Sequence, residues 1–139
     1  MFSQSFIIHN VSHALAVAKV AEQLDKSAKL YSSPGACGSL GPEAFAEMIQ
    51  VAQKSRPMTS LLGVLDCGTE AGNVISAMRR GITDIHFKLE LMVKLKLENI
   101  ASKNGVRIHC IPRDILDLYD FSAIEILIKS HFLDEKRYE

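Results

Sequence analysis

The chain has no tryptophan, only three cysteines and four prolines, and no excess of either charge sign. It also lacks any apolar run approaching the roughly 18 residues a membrane-spanning helix needs. Each absence excludes something. With 16 basic and 16 acidic side chains the formal net charge is zero. That removes the global footprint of a nucleic-acid or anionic-membrane binder, and equally the self-repulsion that keeps highly charged proteins apart. The opening residues MFSQSFIIHN have neither the basic start nor the long apolar stretch of a secretory signal, so a cytoplasmic location is expected. Cys37, Cys67 and Cys110 are an odd set, 30 and 43 residues apart. They match no zinc pair and no disulfide framework, so reduced thiols are expected and neither a metal nor a cofactor is implied.

What is present is a globular composition. At 139 residues with 47% apolar side chains the chain reads as one domain, 1–139, with a frayed tail over 134–139. A domain of this size buries about 65–70% of the surface of its unfolded form, which suffices without a covalent staple.

Strand-length apolar runs alternate with stretches of helical period, the signature of βαβ units around a parallel sheet. Phe6 to His9 reads as a first strand, and Val11 to Leu24 as a helix capped by Asn10 or Ser12. A second strand spans Ala28 to Ser32. The segment Ser33 to Gly41, rich in small residues, reads as a loop, and Pro42 sits where proline is best tolerated, opening a helix to about Lys54. Leu61 to Leu65 is the clearest buried strand. Asp66-Cys67-Gly68-Thr69 turns out of it, with Thr69 as cap of a helix ending at Arg79-Arg80-Gly81. Ile82 to Lys88 supplies a fourth strand, Glu90 to Lys103 a helix, and Val106 to Ile111 a fifth strand closed by Pro112. Ser122 to Glu125 has the pattern of a capping box opening a last helix to Leu133.

The expected fold class is therefore α/β: a three-layer, five-stranded parallel sheet, doubly wound in the order 2-1-3-4-5 and Rossmann-like, with a half-barrel as the alternative. Doubly wound sheets bind ligands past the carboxyl ends of the strands, where the winding reverses. In that order the crevice lies between the first and third strands. It would receive His9, Asn10, Ser12 and His13 from one loop and Asp66, Cys67, Gly68 and Thr69 from the other.

Several motifs could supply chemistry there. Gly35, Gly38 and Gly41 precede a helix start, a place that attracts anions. Their spacing fits neither a dinucleotide fingerprint nor a phosphate loop with its lysine and hydroxyl, and the competing reading is a plain surface loop. Small residues around Cys37 suggest a nucleophile elbow with His9 or His13 as base, against a bland free thiol. Asp66 at a strand end would hold a metal, orient a ribose or act as a base, with Cys67 on the opposite side of the strand and Lys88 as a counter-charge or amine nucleophile; a single carboxylate without a second acidic partner makes a weak metal site. The competing role for Asp66 is to accept hydrogen bonds from the turn it begins.

Charge is balanced globally but not locally. Residues 79–113 hold eight Lys/Arg against three acids, and residues 114–139 hold seven acids against three bases. The last helix, with Ile124, Ile126, Leu127, Ile128, Phe132 and Leu133, is more apolar than a single core-facing stripe requires, which suggests a homo-oligomer through residues 122–133. The acidic segment is expected to meet the basic one, in the same chain or in a neighbouring subunit.

Two stretches carry a resemblance. Leu30-Tyr31-Ser32-Ser33-Pro34-Gly35-Ala36, and Val64-Leu65-Asp66-Cys67-Gly68 followed by Gly72, Ala77, Met78, Arg79, Arg80, Gly81 and Ile82, are together similar to a family of small single-domain proteobacterial proteins. In that family a Ser-x-Pro-Gly-Ala loop and a Leu-Asp-Cys-Gly turn recur. The resemblance implies an α/β fold and a bacterial setting and brings no activity with it. Leu65 to Ile85 also resembles the βα repeats of TIM-barrel phosphate binders.

The functional expectation is a small protein that binds a small polar or anionic ligand at the strand-end edge through Asn10, Gly35, Gly38, Ser39, Asp66, Gly68 and Thr69. The first alternative is a non-catalytic, homo-oligomeric interaction protein. The second is a cysteine-dependent hydrolase or transferase using Cys37 or Cys67, with His9 and Lys88 as assisting groups.

Overall fold

A computed structural model describes residues 2, 4–119 and 124–134. The chain forms an α/β fold on one open, wholly parallel sheet: β1 (Gln4–Ile8), α1 (Val11–Leu24), β2 (Ala28–Ser32), α2 (Ala36–Ser39), α3 (Pro42–Ser55), β3 (Leu61–Asp66), α4 (Ala71–Arg79), β4 (Asp84–His86), α5 (Leu91–Lys103), β5 (Arg107–Ile108), β6 (Leu116–Asp117) and α6 (Ile124–Leu133). No helix among the described residues is long and apolar enough to cross a membrane.

The sheet order is β5-β4-β3-β2-β1-β6. It has six strands rather than five, and its order replaces the expected 2-1-3-4-5. The first five strands run consecutively across the sheet, the connectivity of the half-barrel alternative, and only β6 returns to the far side of β1. Right-handed crossovers that all step in one direction place their helices on one face. Register confirms this, because Phe6, Leu30 and Gly63 form one row. On that row Phe6 meets Phe132 of α6, and Gly63 lies under Ile49 and Phe45 of α3. One core joins this face to α1, α3, α4, α5 and α6. The arrangement of the described elements is thus two-layered, not the expected three.

Other corrections are local. The small-residue loop contains the helical turn α2, whose start is buried as Ala36 and Cys37. Glu70, not Thr69, occupies the cap of α4. The fourth and fifth strands shrink to three and two residues. The capping box at Ser122 falls outside the described residues, as do residues 135–139.

β6 was not foreseen. The chain leaves β5 at one edge of the sheet and must reach β6 at the other within the eight residues from Ile108 to Leu116, a reach of at most about 27 Å. Five interstrand spacings across a flat sheet come to roughly 24 Å. A turn at Pro112–Ile115, closed by Ile115 N–H donating to the Pro112 carbonyl at 3.3 Å, consumes part of that reach. The sheet therefore curves, and residues 109–115 cross its concave face as a strap. Under the strap lie Tyr31 and Val64, both buried yet outside the helix-side core.

Polar contacts pin the strap. Tyr31 Oη donates to the Cys110 carbonyl at 2.7 Å, and His86 Nδ1 to the His109 carbonyl at 2.7 Å. His109 bridges Lys29 Nζ (3.1 Å) and the buried Asp84 carboxylate (2.8 Å). Arg107 and the Thr83 hydroxyl also donate to Asp84.

Gly63 makes the α3 contact close. A Cβ there would lie 2.5 Å from Ile49 Cγ1 and 3.2 Å from Phe45 Cε2. Gly63→Val is expected to cost about 2 kcal/mol by overpacking. A compensating Ile49→Ala should recover part of that loss, and additive effects of the two changes in urea unfolding would remove the explanation.

Candidate functional site

Among the described residues the strand order steps back only from β5 to β6, which sets the carboxyl end of β6 beside that of β1, and the helices that follow these two strands pack together on one face. This shifts the expected site by one strand. It retains His9, Asn10 and His13 but replaces the Asp66 loop with the segment after β6.

The β1 loop is shaped by a reciprocal cap. Asn10 is extended and its Oδ1 accepts the His13 backbone N–H at 2.9 Å. The His13 side chain reaches back, its Nδ1 accepting the His9 backbone N–H at 3.0 Å. A neutral imidazole has one lone-pair nitrogen, so His13 holds its proton on Nε2. The Asn10 Nδ2 atom, 3.4 Å from that nitrogen, is then a neighbour and not a donor to it.

His9 is fixed on three sides. Its Nε2 donates to Asp117 Oδ1 at 2.5 Å. The rings of His13 and Tyr119 each stand edge-on to it, both with centroids 5.8 Å away. Asp117 is delivered by the β1–β6 register, which sets it beside Ile7. With its Nε2 proton committed to a carboxylate, His9 presents Nδ1 as its lone-pair nitrogen, the arrangement by which a carboxylate orients an imidazole base. A cavity of about 310 Å³ is lined by His9, Asn10, His13 and Tyr119. It opens at the start of the 14-residue helix α1, whose first turn has no acidic residue to occupy the positive dipole end.

Gly35, Asp66 and Gly68 do come together, but with one another. Asp66 Oδ1 accepts the Gly68 N–H at 2.8 Å and faces the Gly35 N–H at 3.4 Å, while the Asp66 N–H donates to Ser32 Oγ at 2.8 Å. Gly68 has φ +65°, and a Cβ on it would sit 3.3 Å from the Gly35 Cα. The buried carboxylate staples two turns, the bland reading of Asp66. Gly38 and Ser39 are exposed on α2, and Thr69 is exposed on the turn.

The thiols at positions 37 and 67 are buried neighbours. Cys37 Sγ donates to the Asn73 carbonyl at 3.2 Å. Burial pushes both thiols up, and for Cys67 the Cys37 thiol and the Asp66 carboxylate push the same way. Such thiols are poor thiolates and hence poor nucleophiles. Lys88 is exposed, so its ammonium remains solvated. Among the described residues no group of three or more His, Cys, Asp or Glu side chains is placed to hold a metal ion.

Asp117 and Tyr119 were missed by sequence reasoning. Their signal was present in Ile115-Leu116-Asp117-Leu118-Tyr119, an apolar run of strand length broken by one carboxylate. Compared with known proteins, the chain matches no protein-family model and no curated protein.

Proposed function

We propose that the protein binds a small anionic ligand, a carboxylate or phosphate compound, in the crevice between the β1 and β6 loops. The observation that supports this most is the cavity of about 310 Å³ beside the carboxyl ends of β1 and β6, where two imidazoles, an amide and a phenol converge on the start of α1. His9, Asn10 and His13 give the cavity its polar wall, and Tyr119 provides an exposed amphipathic ring. The Asp117–His9 pair favours a second step at the same place: a ligand proton within reach of His9 Nδ1 would be taken by an imidazole whose resulting charge the Asp117 carboxylate stabilises.

Thermal-shift titration with inorganic phosphate, sugar phosphates, nucleotides and dicarboxylates tests the reading. A ligand at one hundred times its dissociation constant adds about 2.7 kcal/mol to stability. That gain should fall by most of its value in Tyr119→Ala and His9→Gln, both at exposed positions. No stabilisation by any member of the panel, or stabilisation unchanged in both variants, would sink it.

A further inference from the structure

In three of the five histidines the Nδ1 nitrogen is engaged within the fold. At His13 it accepts the His9 backbone N–H, at His86 it donates to the His109 carbonyl, and at His109 it faces the Lys29 ammonium at 3.1 Å. His9 differs. Its ring makes one hydrogen bond among the described residues, from Nε2 to Asp117, and that leaves the Nδ1 lone pair uncommitted. The residue lines the cavity of about 310 Å³, whose other walls are Asn10, His13 and Tyr119. No serine, threonine or cysteine is among them, and Tyr119 meets His9 ring edge to ring without a hydrogen bond. The His9 imidazole therefore has no side-chain nucleophile at hand to activate, and is itself the nucleophile of the cavity.

We propose that His9 is a phosphoryl-acceptor site, its Nδ1 taking the phosphoryl group of an acyl phosphate. This rests on the anion-binding reading of the cavity and adds covalent transfer to it. The Nδ1 lone pair forms the N–P bond while the bond from phosphorus to the acyl oxygen breaks, and its electron pair leaves with the carboxylate. Such a leaving group departs without a proton, so no acid is needed opposite the nucleophile. The donor's two negative charges divide between the released carboxylate and the phosphorylated ring. That ring becomes an imidazolium, its Nε2 proton stays in the hydrogen bond, and the Asp117 carboxylate stabilises the new charge. Charge on the phosphoryl oxygens during transfer calls for donors beside them. Asn10, its Oδ1 already accepting the His13 N–H, has its Nδ2 amide left for that purpose.

Incubating the full chain with acetyl phosphate tests this, read by intact mass in alkali and by phosphorus NMR, which separates Nδ1 from Nε2 phosphohistidine. One phosphoryl group per chain is expected, on Nδ1, stable in alkali, lost in acid and mapped to His9 by proteolysis. His9→Gln should abolish that signal with unchanged circular dichroism. Asp117→Asn should slow the labelling by about tenfold, because a hydrogen bond to a charged group is worth roughly twice one between neutral groups. Asp117→Glu, which restores the charge, should regain part of that rate. No labelling, a label on Nε2 or on a carboxylate, an acetyl adduct in its place, or an unchanged rate in Asp117→Asn would overturn the proposal. Inorganic phosphate that stabilises a chain acetyl phosphate does not label removes the transfer and spares the anion reading, whereas a chain stabilised by no anion loses the reading itself.

Discussion

Replacing Phe6 with alanine is expected to remove about 3–5 kcal/mol of stability, seen as a lower denaturation midpoint with an unchanged slope. Phe6 is fully buried at the centre of β1 and is the sheet's anchor for α6. Its ring lies 5.1 Å from His131, edge-on, and 5.1 Å from Phe132, tilted. Each such ring pair contributes about 0.5–1.5 kcal/mol beyond area burial, so the variant loses packing, two ring contacts and the docking of one helix together. Phe6→Leu keeps most of the volume and should cost only about 1 kcal/mol. Hydrogen exchange separates the local from the global effect: the amides of α6 should lose protection ahead of those of β2 and β3. Equal losses across all elements, or a similar cost for leucine and alanine, would show that Phe6 is not the link between α6 and the sheet.

The same residues show why the fold was legible and the topology was not. Alternation of buried strand runs with capped helices is a local signal, and Asn10, Pro42 and Leu61 to Leu65 stand where their chemistry placed them. Strand order is set by long-range choice. Nothing in the residues of β1 distinguishes β2 from β3 as its neighbour, and β6 is only two residues long. The fifth strand was overextended to Ile111 because Val106, Ile108 and Cys110 alternate with Arg107 and His109, the period of a half-buried strand. In the fold its second half leaves the sheet as the strap, where backbone carbonyls of His109 and Cys110 are satisfied by His86 and Tyr31. The site followed the topology. His9, Asn10 and His13 line the cavity because they follow β1 wherever β1 lies, whereas Asp66 ends β3 and Gly35 follows β2, both on the side of β1 away from β6. Their spacing across the chain, 31 residues, gave no sign that they would hydrogen-bond each other.

Asp84→Asn is expected to cost about 2–3 kcal/mol at neutral pH, because hydrogen bonds to a charged group are each worth about 1.5–3 kcal/mol and only part of that is discounted. The discount falls on Arg107, whose side chain is 67% exposed and regains water when released. The larger share is lost at His109 and Thr83, which face a carboxylate that is itself buried. Burial alone would raise the Asp84 pKa, but the hydrogen bonds from Arg107, His109 and Thr83 outweigh it and hold the carboxyl below its ordinary value. A folded pKa below the unfolded one means that the ionised carboxylate stabilises the fold at every pH above the ordinary carboxylate range. That contribution fades as acid takes the pH down through the unfolded and then the folded value. The gap between wild type and Asp84→Asn should therefore be full at neutral pH and narrow steadily in acid; a gap that stays constant with pH would remove the electrostatic account. The strap supplies an independent readout. Burial, and secondarily the neighbouring Cys110, push the Tyr31 phenol up to about 12. If Asp84 and His109 hold the strap down, the spectrophotometric titration of one of the three tyrosines should move toward the ordinary value near 10 in the variant. An unchanged Tyr31 titration alongside the loss of stability would place the role of Asp84 in the β4–β5 pairing alone, with the strap held by Tyr31 and His86.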